Sequence, residues 1–254
     1  MKNSGLLIAA TLLFAAAAGK CADLPALPDT NVLHAQQVLL VITPDWGSLQ
    51  GRLYGFEKRA GQWVMQFSNA VVLGSKGLGI GEGMVPMTIA DAPVKKEGDL
   101  KSPAGIFSIG AAFGYAGTRE AGWIKDHYVQ ATDTLICVDD PQSAHYNTLV
   151  QNDSARSDWK SFEQMHRRDD YYKWGLFINH NAEPPAAGKG SCIFMHIWGN
   201  DHQGTTGCTA MKEEDMLRIL HWINIGLDPV LVQLPEGEYP KLAAQYHLPT
   251  LPSR

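Results

Sequence analysis

The chain has 254 residues, 45% of them hydrophobic, with 21 Lys and Arg against 26 Asp and Glu for a net charge of -5. That is apolar material for one soluble domain of generous size or two small ones. The acidic balance excludes nucleic-acid binding, whose affinity comes from cationic neutralisation of phosphates.

The first element is an export signal. Lys2 makes a positive start, Leu6 to Ala18 is a largely apolar run of thirteen residues, and Ala16, Ala17, Ala18 and Gly19 are small. This pattern predicts a secretory signal peptide over residues 1–20, too short to span a bilayer as a stable helix. Its removal leaves 19 basic against 26 acidic residues, a net charge of -7. Lys20 has the wrong size and charge to precede a lipidated Cys21.

After a Pro-containing lead, Val38-Leu39-Leu40-Val41-Ile42 reads as a buried strand. Arg52 to Lys58 and Gln62 to Phe67 flank Ala60-Gly61 as a hairpin, and Ala70 to Leu73 is a further short strand. The glycine-rich stretch Gly74 to Gly83 lacks the Gly-Lys-Ser/Thr ending of a phosphate loop and opens no helical pattern, so it is a turn-rich connection. Asp99 to Phe107 is a loop entering a strand, and Val129 to Val138 and Tyr146 to Gln151 are two more strands. Trp159 to Arg168 is read as a helix whose face alternates Lys160, His166, Arg167 and Arg168 with Glu163, Asp169 and Asp170, the pattern of a solvated surface. Trp174 to Asn179 and Cys192 to Trp198 are strands joined by a Pro-Gly loop.

From Lys212 to Ile225, Met216, Ile219, Leu220 and Ile223 form a helical stripe, acids fill the first turn, and Gly226 is placed as the residue that ends the helix. Strand Val230-Leu231-Val232 follows, and the tail after Pro235 shows no periodicity. One mainly β domain with a few helices fits this spacing better than βαβ alternation. No transmembrane segment follows the signal.

The chemistry concentrates at two places. His196 ends the apolar run that begins at Cys192, and twelve residues later Cys208 stands after Gly207 in the small polar stretch Thr205-Thr206-Gly207-Cys208-Thr209. Thiolate catalysis needs a reachable sulfur, a base beside it and backbone amides aimed at the oxyanion. His196 is the candidate base, raising the thiolate fraction of a thiol whose ordinary pKa is near ~8.5. The amides of Thr206, Gly207 and Cys208 are candidate oxyanion donors, and Gly207 allows a sharp turn. The plain alternative is a core histidine and an inert thiol.

A zinc reading would use His196, His202, Cys208 and His180, but their spacing matches no compact ligand pair, so no metal and no cofactor is expected. Glu163 and His166 are three apart on the expected helix and read as surface. Tyr146, Asn147, His180 and Asn181 lie near strand ends, where they line a cleft or cap loops; they are candidate substrate-binding residues. Cys137 and Cys192 sit in strand-like apolar runs and read by default as buried free thiols, although an oxidising compartment would permit a disulfide between them.

The stretch Phe194-Met195-His196, followed by Thr205-Thr206-Gly207-Cys208, resembles the histidine strand and the Ser/Thr-x-Gly-Cys signature of the L,D-transpeptidase catalytic domain, also called YkuD-like. Gly98-Asp99-Leu100-Lys101-Ser102-Pro103-Ala104-Gly105 is similar to that family's Gly-Asp-x-x-Thr-Pro-x-Gly stretch. Thr206 stands where the signature commonly has histidine, and Ala210 where it has a basic or amide residue, so the resemblance is to a divergent branch. It covers about Val38 to Leu234, which sets a catalytic domain over 38–234 and a tail over 235–254.

The resemblance implies a β-sandwich-like domain with flanking helices, Cys208 as nucleophile, His196 as base, and the Ile197 carbonyl orienting that histidine. It implies peptidoglycan stem peptides as substrate. Cys208 would attack the third-position diamino acid, expel the terminal D-alanine and form a thioester resolved by an amine or by water. The implied location is the periplasm or cell envelope, with no nucleic acid and no membrane insertion after signal removal. A hydrolase using the same pair and a non-catalytic wall-binding module are the alternatives.

Overall fold

Gln37–Thr43 is buried along its whole length and forms strand β1 of the computed structural model, which describes residues 34–125, 127–153 and 157–252. A strand covered on both faces reads as an unbroken apolar run, which is why it was legible. The hairpin β2 (Gln50–Arg59) and β3 (Gln62–Val72) turns at Ala60-Gly61. Both turn residues have positive φ, as a two-residue hairpin loop of this kind needs. The expected short strand at Ala70 is the continuation of β3.

Then come β4 (Leu78–Ile80), β5 (Ser102–Gly114), β6 (Tyr128–Gln130), β7 (Leu135–Val138), β8 (Leu149–Gln151) and β9 (Phe162–Gln164). They are followed by β10 (Trp174–Ile178), β11 (Phe194–Ile197), β12 (Thr209–Met211), helix α1 (Glu213–Trp222), β13 (Val230–Pro235) and helix α2 (Tyr239–Tyr246). The fold is mainly β, with two α-helices among the described residues.

Neighbouring strands run β10-β11-β12-β3-β2-β1-β13-β5, and β5 pairs in turn with β10. The chain of pairings therefore closes on itself as an eight-stranded ring, with β4 and β6 added to β5. A second sheet of order β8-β7-β9 lies apart from it. Most of the buried apolar side chains pack in one cluster that takes in the ring and both helices. A second cluster gathers Phe113, Met165, Tyr172, Phe194 and the three cysteines of the described residues, Cys137, Cys192 and Cys208.

Several sequence expectations change. Trp159 to Arg168 is not a helix: Phe162–Gln164 is strand β9, paired with β7 at Cys137↔Glu163. Cross-strand pairing overrides a local pattern that a helix would also satisfy. Val129 to Val138 breaks at a turn in which the Leu135 N–H donates to the Thr132 carbonyl, so β6 joins the ring and β7 the smaller sheet. Tyr146 and Asn147 precede β8 in a turn, with Asn147 at φ 59°.

The α1 stripe is buried as expected, but the helix stops at Ile223 in extended backbone. Asn224 caps a new short turn by accepting from the Gly226 N–H, and the left-handed residue is Asp228. The stretch after Pro235 folds: Tyr239, Leu242 and Tyr246 of α2 are buried, and the Tyr239 hydroxyl donates to the Pro249 carbonyl. Cys137 and Cys192 are joined as a disulfide with Cα atoms 6.0 Å apart, which ties the smaller sheet to the lead-in of β11. The expected export signal lies outside the described residues.

Candidate active site

Strands β11 and β12 run parallel, with His196 opposite Ala210 and Met195 opposite Thr209. Side chains alternate across a strand, so Phe194 and His196 share a face with Ala210 and, one step back, Cys208. The structure thus brings Cys208 and His196 to one cleft of about 190 Å³, whose walls include Glu163, Arg167, Tyr171 and Tyr172. An adjoining hollow of about 440 Å³ shares Glu163, Arg167, Thr206 and Cys208 and adds Lys95, Glu97 and Ser191. Cys208 stands where the two meet, only 4% exposed.

The loop before Cys208 is held from two directions. Thr205 Oγ1 donates to the Cys208 carbonyl at 2.6 Å and accepts from the Gly207 N–H at 3.1 Å. Ser102 Oγ donates to the same carbonyl at 2.9 Å and accepts from the Gly74 N–H at 2.8 Å. Ser102 belongs to the Gly-Asp-x-x-Ser-Pro stretch, whose Asp99 accepts from Lys95 Nζ at 2.6 Å and from the Lys96 and Lys101 N–H groups. That motif therefore fixes the nucleophile's loop from behind. Gly74 is required for contact: a Cβ there would lie 2.4 Å from the Leu100 carbonyl. Gly207 does not adopt positive φ; its small size matters because a Cβ would meet Ile193 and the Lys101 carbonyl at 3.3 Å.

The Cys208 Sγ accepts the Phe194 N–H at 3.3 Å and lies 3.7 Å from the Cys192 carbonyl. His196 Nδ1 is 2.7 Å from the Ile197 carbonyl, so Nδ1 carries the hydrogen and Nε2 keeps the lone pair. The imidazole packs against the edge of Tyr172 and beside Tyr171. Burial pushes His196 down to about 4, against the opposing pull of its bond to Ile197. Burial pushes the Cys208 thiol well up, and the negative charge of Glu163 adds to this. Burial also raises Glu163, whose carboxylate accepts the Tyr172 hydroxyl. Desolvation thus works against both charged forms, the thiolate and the imidazolium, where the sequence reading expects the imidazole to enrich the thiolate.

His180 is likewise buried and held down to about 4. An unfolded histidine titrates near 6.5, so the unfolded chain takes up protons first on acidification. Stability is fully present above about pH 6.5 and should fall by about 2 kcal/mol per histidine between pH 7 and pH 5. Urea midpoints at the two pH values check this; an unchanged midpoint would contradict the burial of both rings.

Tyr146, Asn147, His180 and Asn181 are not brought to the cleft. The Tyr146 hydroxyl bonds Glu97 and accepts the Gly190 N–H, while Asn147 bridges the His180 and Asn181 carbonyls and the Cys192 N–H. Asn181 holds Ala186 and Gly190. These side chains brace the loop leading into β11. His202 is exposed, and among the described residues no three His, Cys, Asp or Glu side chains gather as metal ligands would.

Sequence reasoning missed Tyr171, Tyr172, Glu163 and Arg167. Their only signal was the alternation of charge around 160–170, which solvated helices share.

The model of the L,D-transpeptidase catalytic domain family (YkuD) matches residues 49–232. No curated protein matches the chain. Two solved structures resemble it: Bd1075 of Bdellovibrio bacteriovorus, 13% identical with TM-score 0.39, over 79% of this chain and 48% of that one; and the helical cell shape determining protein Pgp2 of Campylobacter jejuni, 14% identical with TM-score 0.37, over 78% and 47%. The chain spans about half the length of these two proteins.

Proposed function

The chain belongs to the L,D-transpeptidase catalytic domain family, and from that premise we propose that it is an exported acyltransferase acting on peptidoglycan stem peptides through Cys208. The observation that carries this reading is one free cysteine and one histidine on a shared cleft, the imidazole held by the Ile197 carbonyl so that Nε2 is its basic nitrogen.

In the first step Nε2 takes the thiol proton as Sγ bonds to the carbonyl carbon of the third stem residue. The carbon–nitrogen bond then breaks, and the imidazolium gives its proton to the departing amine of the terminal D-alanine. A thioester remains. An amine of a neighbouring stem attacks it and loses a proton to Nε2; the carbon–sulfur bond breaks, the sulfur takes that proton from Nε2, and a new amide and the free thiol remain.

The Gly207 N–H is already given to Thr205, so the oxyanion role falls to the amides of Thr206 and Cys208. The Cys137–Cys192 disulfide supports an oxidising compartment outside the cytoplasm. Residues 1–20 are then the signal and 38–234 the catalytic domain.

Purified tetrapeptide muropeptides distinguish the outcomes. Cross-linked dimers are expected. Shortened monomers alone would reassign the protein as a hydrolase, and binding to sacculi without any product would make it a wall-binding module.

A further inference from the structure

We propose that Arg167 binds the free carboxylate at the C-terminus of the donor peptide and so fixes cleavage one residue before that end. This rests on the reading of Cys208 as nucleophile. Arg167 lines both hollows that meet at Cys208, and its side chain is 35% exposed. Its Nε and Nη2 are clamped by both oxygens of Asp169 at 2.8–3.2 Å. The guanidinium carbon lies 5.1 Å and 5.6 Å from the ring centres of Tyr172 and Tyr171. Among the described residues the ion-pair partner of Nη1 is Glu163, at 3.8 Å, beyond hydrogen-bonding distance. One edge of a fixed, permanently charged fork is thus left for a ligand.

The other side chains around Cys208 do not compete for that role. Lys95 is 3% exposed, its ammonium engaged by Asp99 and the Lys96 carbonyl. Ala210 and Thr206 bring no charge to the walls they form. Two acids face the guanidinium: Asp169 is taken up by Nε and Nη2, and Glu163 lies 3.8 Å from Nη1 with its carboxyl raised by burial. A peptide residue reaches about 3.5 Å, so a carboxylate one residue past the attacked carbonyl stays near Cys208, among the walls that Arg167 shares with it.

Kinetics with paired donor peptides, one ending in a free acid and one in an amide, test the assignment. Wild type should prefer the acid by about 30-fold in kcat/KM, the range of a charge-assisted hydrogen bond. Arg167→Ala should lose turnover of the acid and keep that of the amide, bringing the preference near one, and Arg167→Lys should restore part of it. Equal loss on both peptides, or an unchanged preference, would overturn the proposal. Calorimetric binding of the same peptides to Cys208→Ala, with and without Arg167→Gln, reads the carboxylate site when no turnover exists. A preference for the acid that survives Arg167→Gln there overturns it independently of the nucleophile's fate.

Discussion

Cys208→Ala is expected to leave a folded protein with turnover reduced on the order of 10⁴-fold or more, the scale seen when a covalent nucleophile is removed. The change trims one buried sulfur that makes no disulfide, so stability should move by only about 1 kcal/mol. Two measurements read the result. Muropeptide turnover should fall to background, and intact mass after incubation with a carbapenem should show one covalent adduct on wild type and none on the variant. An adduct that persists in Cys208→Ala, or turnover that survives it, would remove Cys208 from the chemistry. The sulfur is 4% exposed and its thiol is held protonated by burial, so labelling by a general alkylating reagent should be slow while a ligand that fits the cleft reacts.

The second large effect concerns Cys137 and Cys192. The cross-link closes a sequence separation of 55 residues. By the chain-entropy account a loop of that length contributes about 4 kcal/mol. Cys137→Ala combined with Cys192→Ala should therefore lower the guanidinium unfolding free energy by about that amount, and reductant should do the same to wild type while leaving the double variant unmoved. An unfolding curve indifferent to both treatments would contradict the pairing. Activity should fall with it, because the Cys192 carbonyl and the Phe194 N–H flank the Cys208 sulfur from the segment that this link anchors.

How far the chain could be read depended on which force set each element. β1 was legible because two covered faces demand an unbroken apolar run, and α1 because Met216, Ile219, Leu220 and Ile223 point one way. Cys208 and His196 stood out through residue type and through a glycine in a small polar stretch directly before the sulfur. Glu163 did not: it sits on a three-residue strand whose ladder partner is β7, far off in sequence, and its neighbours carry the alternating charges of an ordinary surface helix. Arg167 was hidden for the same reason, since its anchoring by Asp169, Tyr171 and Tyr172 depends on how the chain turns after β9. Tyr146, Asn147, His180 and Asn181 show the opposite case. Polar residues near strand ends either line a cleft or cap loops, a choice that sequence leaves open, and here they satisfy backbone groups of a long loop.

The closed ring of strands has a mechanical consequence. β11, which carries His196, is hydrogen-bonded to β10 on one side and β12 on the other, and β12, which follows Cys208 directly, meets β3 at Ala210↔Val72, so β11 cannot shift without breaking ladders on both flanks. The half of the site bearing sulfur and imidazole is an anvil. The three-stranded sheet stands outside that ring, so the wall it gives the site, Glu163 included, is braced by side-chain contacts and one covalent link rather than by a continuous ladder.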